Sequence, residues 1–282
     1  MRRNEVMRKI VLHKSVVGGA VLVGAILAAA LMASWLAPHD PLAIDLSRRL
    51  EGPSTTYLLG TDNLGRCLLS RLFYGARITL GAGYTVSLLM IMLGLAIGLF
   101  AGLAGGKVDA VTMRLVDMCL AFPSLILALA IVGTLGPSLR NAMVAVTAVW
   151  WAGQARLVRG LVLTAKEKDF VLAARVIGAR GFTLVGQYIL PQIIPILVVM
   201  LPLEVGKIIL VLSGLSFLGL GAQAPLPEWG AMLNEARPFF QTHPRLMLVP
   251  GGAIFTAVLG LNLLSEGLRD ILQVKKPLGW VG

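Results

Sequence analysis

No charged residue occurs between Ser15 and Pro38, and five further apolar runs follow, at about residues 80–103, 118–136, 142–163, 192–215 and 246–266. Each is near the roughly 20 residues that cross a hydrocarbon core as a helix. In that core no water bonds to exposed peptide groups, so an apolar segment of this length must satisfy its N–H and C=O groups internally. The runs therefore predict an all-α polytopic membrane protein with six transmembrane helices, the first at residues 15–37. The run at 118–136 is the most interrupted, with Arg114 and Asp117 at its start and Pro123 a turn inside it. A cleavable signal peptide at the N-terminus is a competing reading of residues 15–37, but its apolar core is about 7–15 residues and this one is longer.

Orientation follows from the charges between the runs. The chain has a formal net charge of +11 with only 14% charged residues, against about a quarter in a soluble domain, and its mean hydropathy is +0.83. In a membrane protein such an excess marks cytoplasmic loops, so lipid is expected as a partner and nucleic acid is not. Residues 1–14 carry Arg2, Arg3, Arg8, Lys9 and Lys14 against Glu5, and the loop at 164–190 continues a basic stretch: Arg156 to Arg180 holds six basic and two acidic residues. Both are placed in the cytoplasm, together with the tail at 267–282 and its Lys275-Lys276 pair. The loop at 38–78 sets Arg48, Arg49, Arg66, Arg71 and Arg77 against Asp40, Asp45, Glu51 and Asp62, and such balance fits the outer side. Cys67 and Cys119 then lie far apart, and no disulfide is expected.

Catalytic patterns are missing from the sequence. The nearest approach to a phosphate-binding loop, residues 101–107 (AGLAGGK), has Ala at the first glycine position and is followed by Val108 rather than Ser or Thr. No nucleophile elbow occurs, and His13, His39 and His243 have no metal-ligand spacing. The chain is expected to be a transport subunit rather than an enzyme, with no cofactor and no bound metal of its own.

The polar stretch from Lys166 to Pro191 stands between two long apolar runs. On a helix, Phe170, Ala174 and Ile177 share one face while Lys168, Leu172 and Arg175 lie opposite. Small residues at Ala173, Ala174 and Gly178 let another surface approach the backbone, Gly178 and Gly181 offer a stop, and Pro191 suits the first turn of the next helix. The segment reads as a docking helix, or alternatively as an amphipathic helix lying on the membrane without a partner. Its Ala-Ala, Gly and Tyr188-Ile189-Leu190-Pro191 pattern resembles the cytoplasmic coupling loop of bacterial ABC importer permeases, with Leu172 where that loop usually carries Glu.

Further segments resemble the second, C-type permease subunit of the dipeptide, oligopeptide and nickel ABC importers. They are Gly60-Thr61-Asp62, Gly65-Arg66, Ser70-Arg71 and Gly75-Ala76-Arg77, with Cys67 where Asp is usual; then Trp151, Ala155-Arg156 and Val158-Arg159-Gly160. Leu215 to Gly221, Pro227-Glu228-Trp229-Gly230, Asn262 and Leu268-Arg269-Asp270 complete the set. The resemblance implies a type I permease domain over residues 76–266 in the bacterial inner membrane. It further implies a homologous second permease, two cytoplasmic ATPase subunits and a periplasmic solute-binding protein as partners, with Phe170, Ala173, Ala174, Ile177, Gly178 and Pro191 receiving the ATPase movement. Ser213-Gly214 before Leu215, and Gly221-Ala222-Gln223-Ala224-Pro225 after it, are similar to the nickel or metal-chelate branch, with di- or oligopeptides the other substrate class. Simpler readings are that Gly219 and Gly221 permit close packing, that Trp229 anchors at the interface and that Arg269-Asp270 is a solvated helix end.

Glu204 and Lys207 are the only ionisable residues well inside an expected span, and their i, i+3 spacing allows a salt bridge. An unpaired charge mid-span costs about 2.5–3.5 kcal/mol on insertion scales, so the pair is expected to face the bundle interior or a water-filled path. It is either a self-neutralised structural pair or part of the translocation path. It also keeps open an ion-coupled secondary carrier, which needs no ATPase.

Overall fold

Proline, glycine and paired charge decide where the apolar runs begin and end as helices. The computed structural model describes residues 14–271, so the expectations for residues 1–13 and for the Lys275-Lys276 tail lie outside the described residues. Helix α1 spans Lys14–Leu31, followed by a short turn at Ala33–Leu36. Helix α2, Leu68–Ala104, is 37 residues long and starts well before the expected boundary at 80, so Ser70, Arg71, Gly75, Ala76 and Arg77 lie on its first turns rather than in a loop. The helix accommodates Arg71 there because two carboxylates receive its guanidinium.

The span expected at 118–136 is two helices, α3 at Gly106–Ala121 and α4 at Ser124–Leu135, bent by 84°. Pro123 is the cause: it has no N–H to donate, and its ring drives Phe122 out of the helical region, to φ −93° and ψ 144°. Helix α5 covers Leu139–Lys166, α6 covers Asp169–Val176, and α7, Gly181–Phe217, begins eleven residues before the expected 192. A short α8 at Trp229–Ala236 leads to α9 at Arg245–Ile271. Among the described residues, α1, α2, α7 and α9 are each long and apolar enough to cross a bilayer, and the bent α3–α4 pair raises the count to as many as five. The sixth expected crossing rests on α5, which has the length, at 28 residues, but carries Arg140, Arg156, Arg159 and Lys166.

Lipid tails are as apolar as leucine, so helices in a membrane associate through close packing rather than through hydrophobic exclusion. Helices α2 and α5 do this along Gly94, Gly98 and Gly102, a four-residue repeat on one face. A Cβ on these glycines would sit 2.4 Å from Gln154 Cβ, 2.4 Å from Ala155 O and 2.8 Å from Val162 Cγ1, respectively. The order of these contacts makes α2 and α5 parallel, as α3 and α4 require if they return the chain across the membrane between them. Helix α1 seats on α9 in the same manner, with a Gly19 Cβ placed 2.5 Å from Leu264 N.

The other end of the bundle is capped by the segment between α1 and α2 and by α8. Arg66 and Arg71 are 1% exposed, and both donate to Glu235 of α8 and pair with Asp62, Arg66 Nε at 2.6 Å and Arg71 Nε at 3.4 Å. Arg245, at the start of α9, donates to the carbonyls of Leu50, Glu51 and Thr61. Glu228 is 1% exposed and accepts from Thr79 Oγ1 and Ser213 Oγ, each at 3.2 Å, and from Ala231 N at 2.9 Å. Trp229 is not an interfacial anchor: it is 2% exposed and its indole N–H donates to Leu72 O at 3.0 Å. Helix α8 is thus packed in among α2, α7 and α9. Gly221 does permit a close approach, since a Cβ there would fall 2.2 Å from Ser216 Oγ.

Gly98→Leu is expected to force α2 and α5 apart and to destabilise the protein by about 1–3 kcal/mol or prevent its assembly. Gly81→Ala, where nothing lies within 4 Å, serves as control and should melt as wild type in detergent. Equal melting of the two variants would contradict the packing described.

Candidate functional site

Two surfaces carry the residues singled out in the sequence: the polar segment between α5 and α7, and the middle of α7. In the first, Asp169 opens α6 and Arg175 closes it, each of the sign that suits the helix dipole at that end. The helix stops in a Schellman motif, with Ala179 N donating to Ala174 O at 2.9 Å and Gly178 N to Arg175 O at 3.0 Å. Gly178 takes φ +96°, which a side-chain-bearing residue adopts only under strain. Nothing lies within 4 Å of its Cβ position, so conformation rather than crowding demands glycine.

The face expected from Phe170, Ala174 and Ile177 divides. Val171 and Ala174 are buried and pack with Val158, Val162, Leu184, Ile189 and Ile193 of α5 and α7. Phe170 is 44% exposed, Ile177 80%, Val176 87% and Phe182 98%, and Ala173 is exposed beside them. Ala174 therefore fixes α6 to its own chain, while Phe170, Ala173 and Ile177 point away from it. Pro191 is exposed as well; it follows a π-turn at Val185–Ile189, in which Leu190 N reaches back to Val185 O. The segment is held from behind. Lys166 Nζ donates to Gly102 O at 2.8 Å, Lys168 Nζ to Gln192 Oε1 at 2.8 Å, and Arg159 Nε to Asp109 Oδ1 at 3.0 Å.

On α7, Lys207 Nζ lies 2.9 Å from Glu204 Oε1, which makes the salt bridge expected from the spacing. The two side chains differ sharply in environment. Glu204 is 6% exposed and belongs to the bundle interior, whereas Lys207 is 54% exposed on the outside of this chain. Of the two settings expected for the pair, Glu204 takes the bundle interior, while Lys207 lies outside this chain's own interior. Among the described residues no group of three or more His, Cys, Asp or Glu is arranged to hold a metal ion. Cys67 is buried and Cys119 partly so, and both are free.

Sequence reasoning named Glu228 and Asp62 only within family motifs, without their buried partners, and missed Glu235 and the glycine repeat of α2. The repeat was legible as three glycines four apart, and Asp62 with Arg66 as an i, i+4 pair. Glu235 was not, because its partners lie 164 and 169 residues away.

The described residues thus form a helical membrane bundle with a charge-tied cap at one end, an exposed apolar helix at the other and a half-exposed lysine on one span. Residues 94–275 match the family described as binding-protein-dependent transport system inner membrane component, and residues 3–53 match the N-terminal transmembrane domain of oligopeptide transport permease C. The chain is 44% identical over 239 residues to the nickel transport system permease protein NikC of Escherichia coli, covering 85% of this chain and 86% of the relative. It is 43% identical over 229 residues to the dipeptide transport system permease protein DppC of Alkalihalophilus pseudofirmus, covering 81% and 75%. It is also 43% identical over 242 residues to the glutathione transport system permease protein GsiD of Pectobacterium atrosepticum, covering 86% and 80%. The chain belongs to the binding-protein-dependent transport permeases, as a C-type ABC importer permease of the nickel and peptide group.

Substitutions separate the two sides of α6. Ala174→Glu places a carboxylate against α5 and α7 and is expected to lower stability by about 1–3 kcal/mol or more. Ile177→Glu leaves the melting temperature within a degree or two of wild type. Both are read by thermal melting of the detergent-purified protein.

Proposed function

We propose that this permease moves nickel, or a nickel or other metal-chelate complex, across the bacterial inner membrane with energy supplied by separate ATPase subunits. The reading rests on the 44% identity to a nickel permease over 85% of the chain, together with the sequence around Ser213 and Gln223. Import of di- or oligopeptides is the second reading, favoured by relatives at 43% identity that carry dipeptides and glutathione. Membership in a binding-protein-dependent family weighs against an ion-coupled carrier. In the complex we infer, a homologous permease, two cytoplasmic ATPases and a periplasmic binding protein join this chain. Six crossings leave both termini in the cytoplasm. Phe170, Ala173, Ile177, Gly178 and Pro191 receive the ATPase movement, and Ala174 holds α6 to α5 and α7 so that the movement reaches α7.

Lys207 supports a path along α7. A half-exposed ammonium in mid-span is costly against lipid, so its open side belongs to the partner permease or to water between the two. Glu204 neutralises it from the bundle side. A cationic lining suits a cargo that presents carboxylates, as a metal chelate or a peptide does, better than a bare divalent cation.

Uptake decides between the substrates. In cells lacking their own nickel and dipeptide permeases, the complete transporter is expected to restore accumulation of radioactive nickel in the presence of a carboxylate chelator, and not of labelled dipeptide; the reverse would overturn the nickel reading. Glu204→Leu with Lys207→Leu should assemble normally, since removing both charges removes the burial cost, yet lose at least about tenfold in uptake. Wild-type uptake by that double variant would exclude the pair from transport. Orientation is read with an impermeant thiol reagent on intact cells. Because Cys67 is only 2% exposed it cannot serve as reporter, but Thr56→Cys, on the exposed outer loop, should label and Lys168→Cys should not.

A further inference from the structure

Away from α6 and from Lys207, one face of the bundle joins a groove to an unanswered charge. Leu89 and Leu93 of α2 and Met143, Val144, Thr147 and Ala148 of α5 line a groove of about 360 Å³, and Arg140 stands at one end of it. Arg140 is exposed and has no hydrogen-bond or ion-pair partner among the described residues. Along α5 it precedes Ala148 by eight residues, about 12 Å at 1.5 Å per residue. With α5 entering from the outer side, an orientation that rests on the proposed topology, the guanidinium lies at headgroup level and the groove descends into hydrocarbon.

The groove opens on the flank of α2, about 80–120° around the helix from the line on which Gly83 meets α7. Gly83 is the point where α2 meets α7, its Cβ position 2.7 Å from Ile209 Cγ1. Met92 is nine residues further on, about two and a half turns, and so projects from the opposite side of α2. From that flank round to the opposite side Leu88 is 47% exposed, Leu89 46%, Met92 64% and Leu93 43%, a bulky apolar surface with no polar interruption, unlike the α7 face that carries Lys207.

We propose that this groove binds an anionic glycerophospholipid of the outer leaflet, with its phosphate on the Arg140 guanidinium and one acyl chain along Leu89, Leu93, Val144 and Ala148. An acyl chain gains little by leaving one apolar surface for another, so selectivity resides in the phosphate. Guanidinium offers a phosphate two parallel N–H donors, which a zwitterionic headgroup satisfies less well because its own ammonium competes. The apolar groove fixes where the lipid sits.

The full-length chain, purified with its partner permease and stripped of lipid, is titrated with phosphatidylglycerol and with phosphatidylcholine and read by native mass spectrometry. Phosphatidylglycerol is expected to bind at least about tenfold more tightly than phosphatidylcholine, and Arg140→Gln to abolish the preference. Val144→Trp, which fills the groove from an exposed position, should remove the tight site while leaving the melting temperature unchanged. Equal affinity for the two lipids, or an undiminished preference in Arg140→Gln, overturns the proposal. So does efficient cross-linking of Val144→Cys to the partner permease, because protein then covers the groove. Binding in detergent does not depend on orientation, so an inverted topology would be seen in the thiol labelling and not in this titration.

Discussion

A buried carboxylate joins the helices of the cap. Glu228 receives hydrogen bonds from Thr79 on α2, from Ser213 on α7 and from the first turn of α8, at a place where the helices otherwise meet through apolar side chains. In the apolar interior such a group is stable only when its acceptor sites are occupied, so its position fixes three backbones together. Arg66 and Arg71 extend the same arrangement outward by tying the loop before α2 to Glu235 on α8. Breaking a buried pair from one side costs about 3–5 kcal/mol, so these contacts hold the cap together strongly.

The opposite end is built differently. Its helix α6 is held by two small buried contacts, Val171 and Ala174, and by polar bonds from Lys166 and Lys168, while Phe170, Val176, Ile177 and Phe182 stand in the open. A chain that keeps apolar side chains at up to 98% exposure on a polar loop spends no local stability to do so only if another surface covers them. A charge-tied cap at one end and an open apolar helix at the other suit the proposed role, in which a separate subunit moves α6 and the motion passes through α5 and α7.

Much of this was legible in sequence because the membrane imposes strong rules. Charge-free runs mark the helices, and the Ala-Ala and Gly pattern locates α6. Boundaries were harder wherever charge was paired: Arg71 reads as a loop residue until Asp62 and Glu235 are found beside it, and α2 then begins twelve residues before the expected 80. Pro123 was visible, yet whether it would be absorbed or would break the helix depended on neighbours that no local pattern specifies. Ala174 was assigned to the docking face because spacing cannot distinguish a helix face turned to its own chain from one turned to a partner. For Lys207 the spacing likewise leaves open the bundle interior or a water-filled path, and its 54% exposure in the single chain removes only the first. A single chain's periodicity does not say which of its surfaces another subunit covers.

In the proposed transporter the open face of α6 receives the work of a separate ATPase. A cysteine at Ile177, paired with cysteines placed singly on the surface of the ATPase subunit in the assembled transporter, tests it most directly through disulfide formation with and without ATP. The account predicts a cross-link in high yield at Ile177 and none at Thr56, together with loss of binding-protein-stimulated ATP hydrolysis once the bond has formed. Absence of any cross-link from Ile177, with stimulated hydrolysis intact in Ile177→Glu, would contradict it.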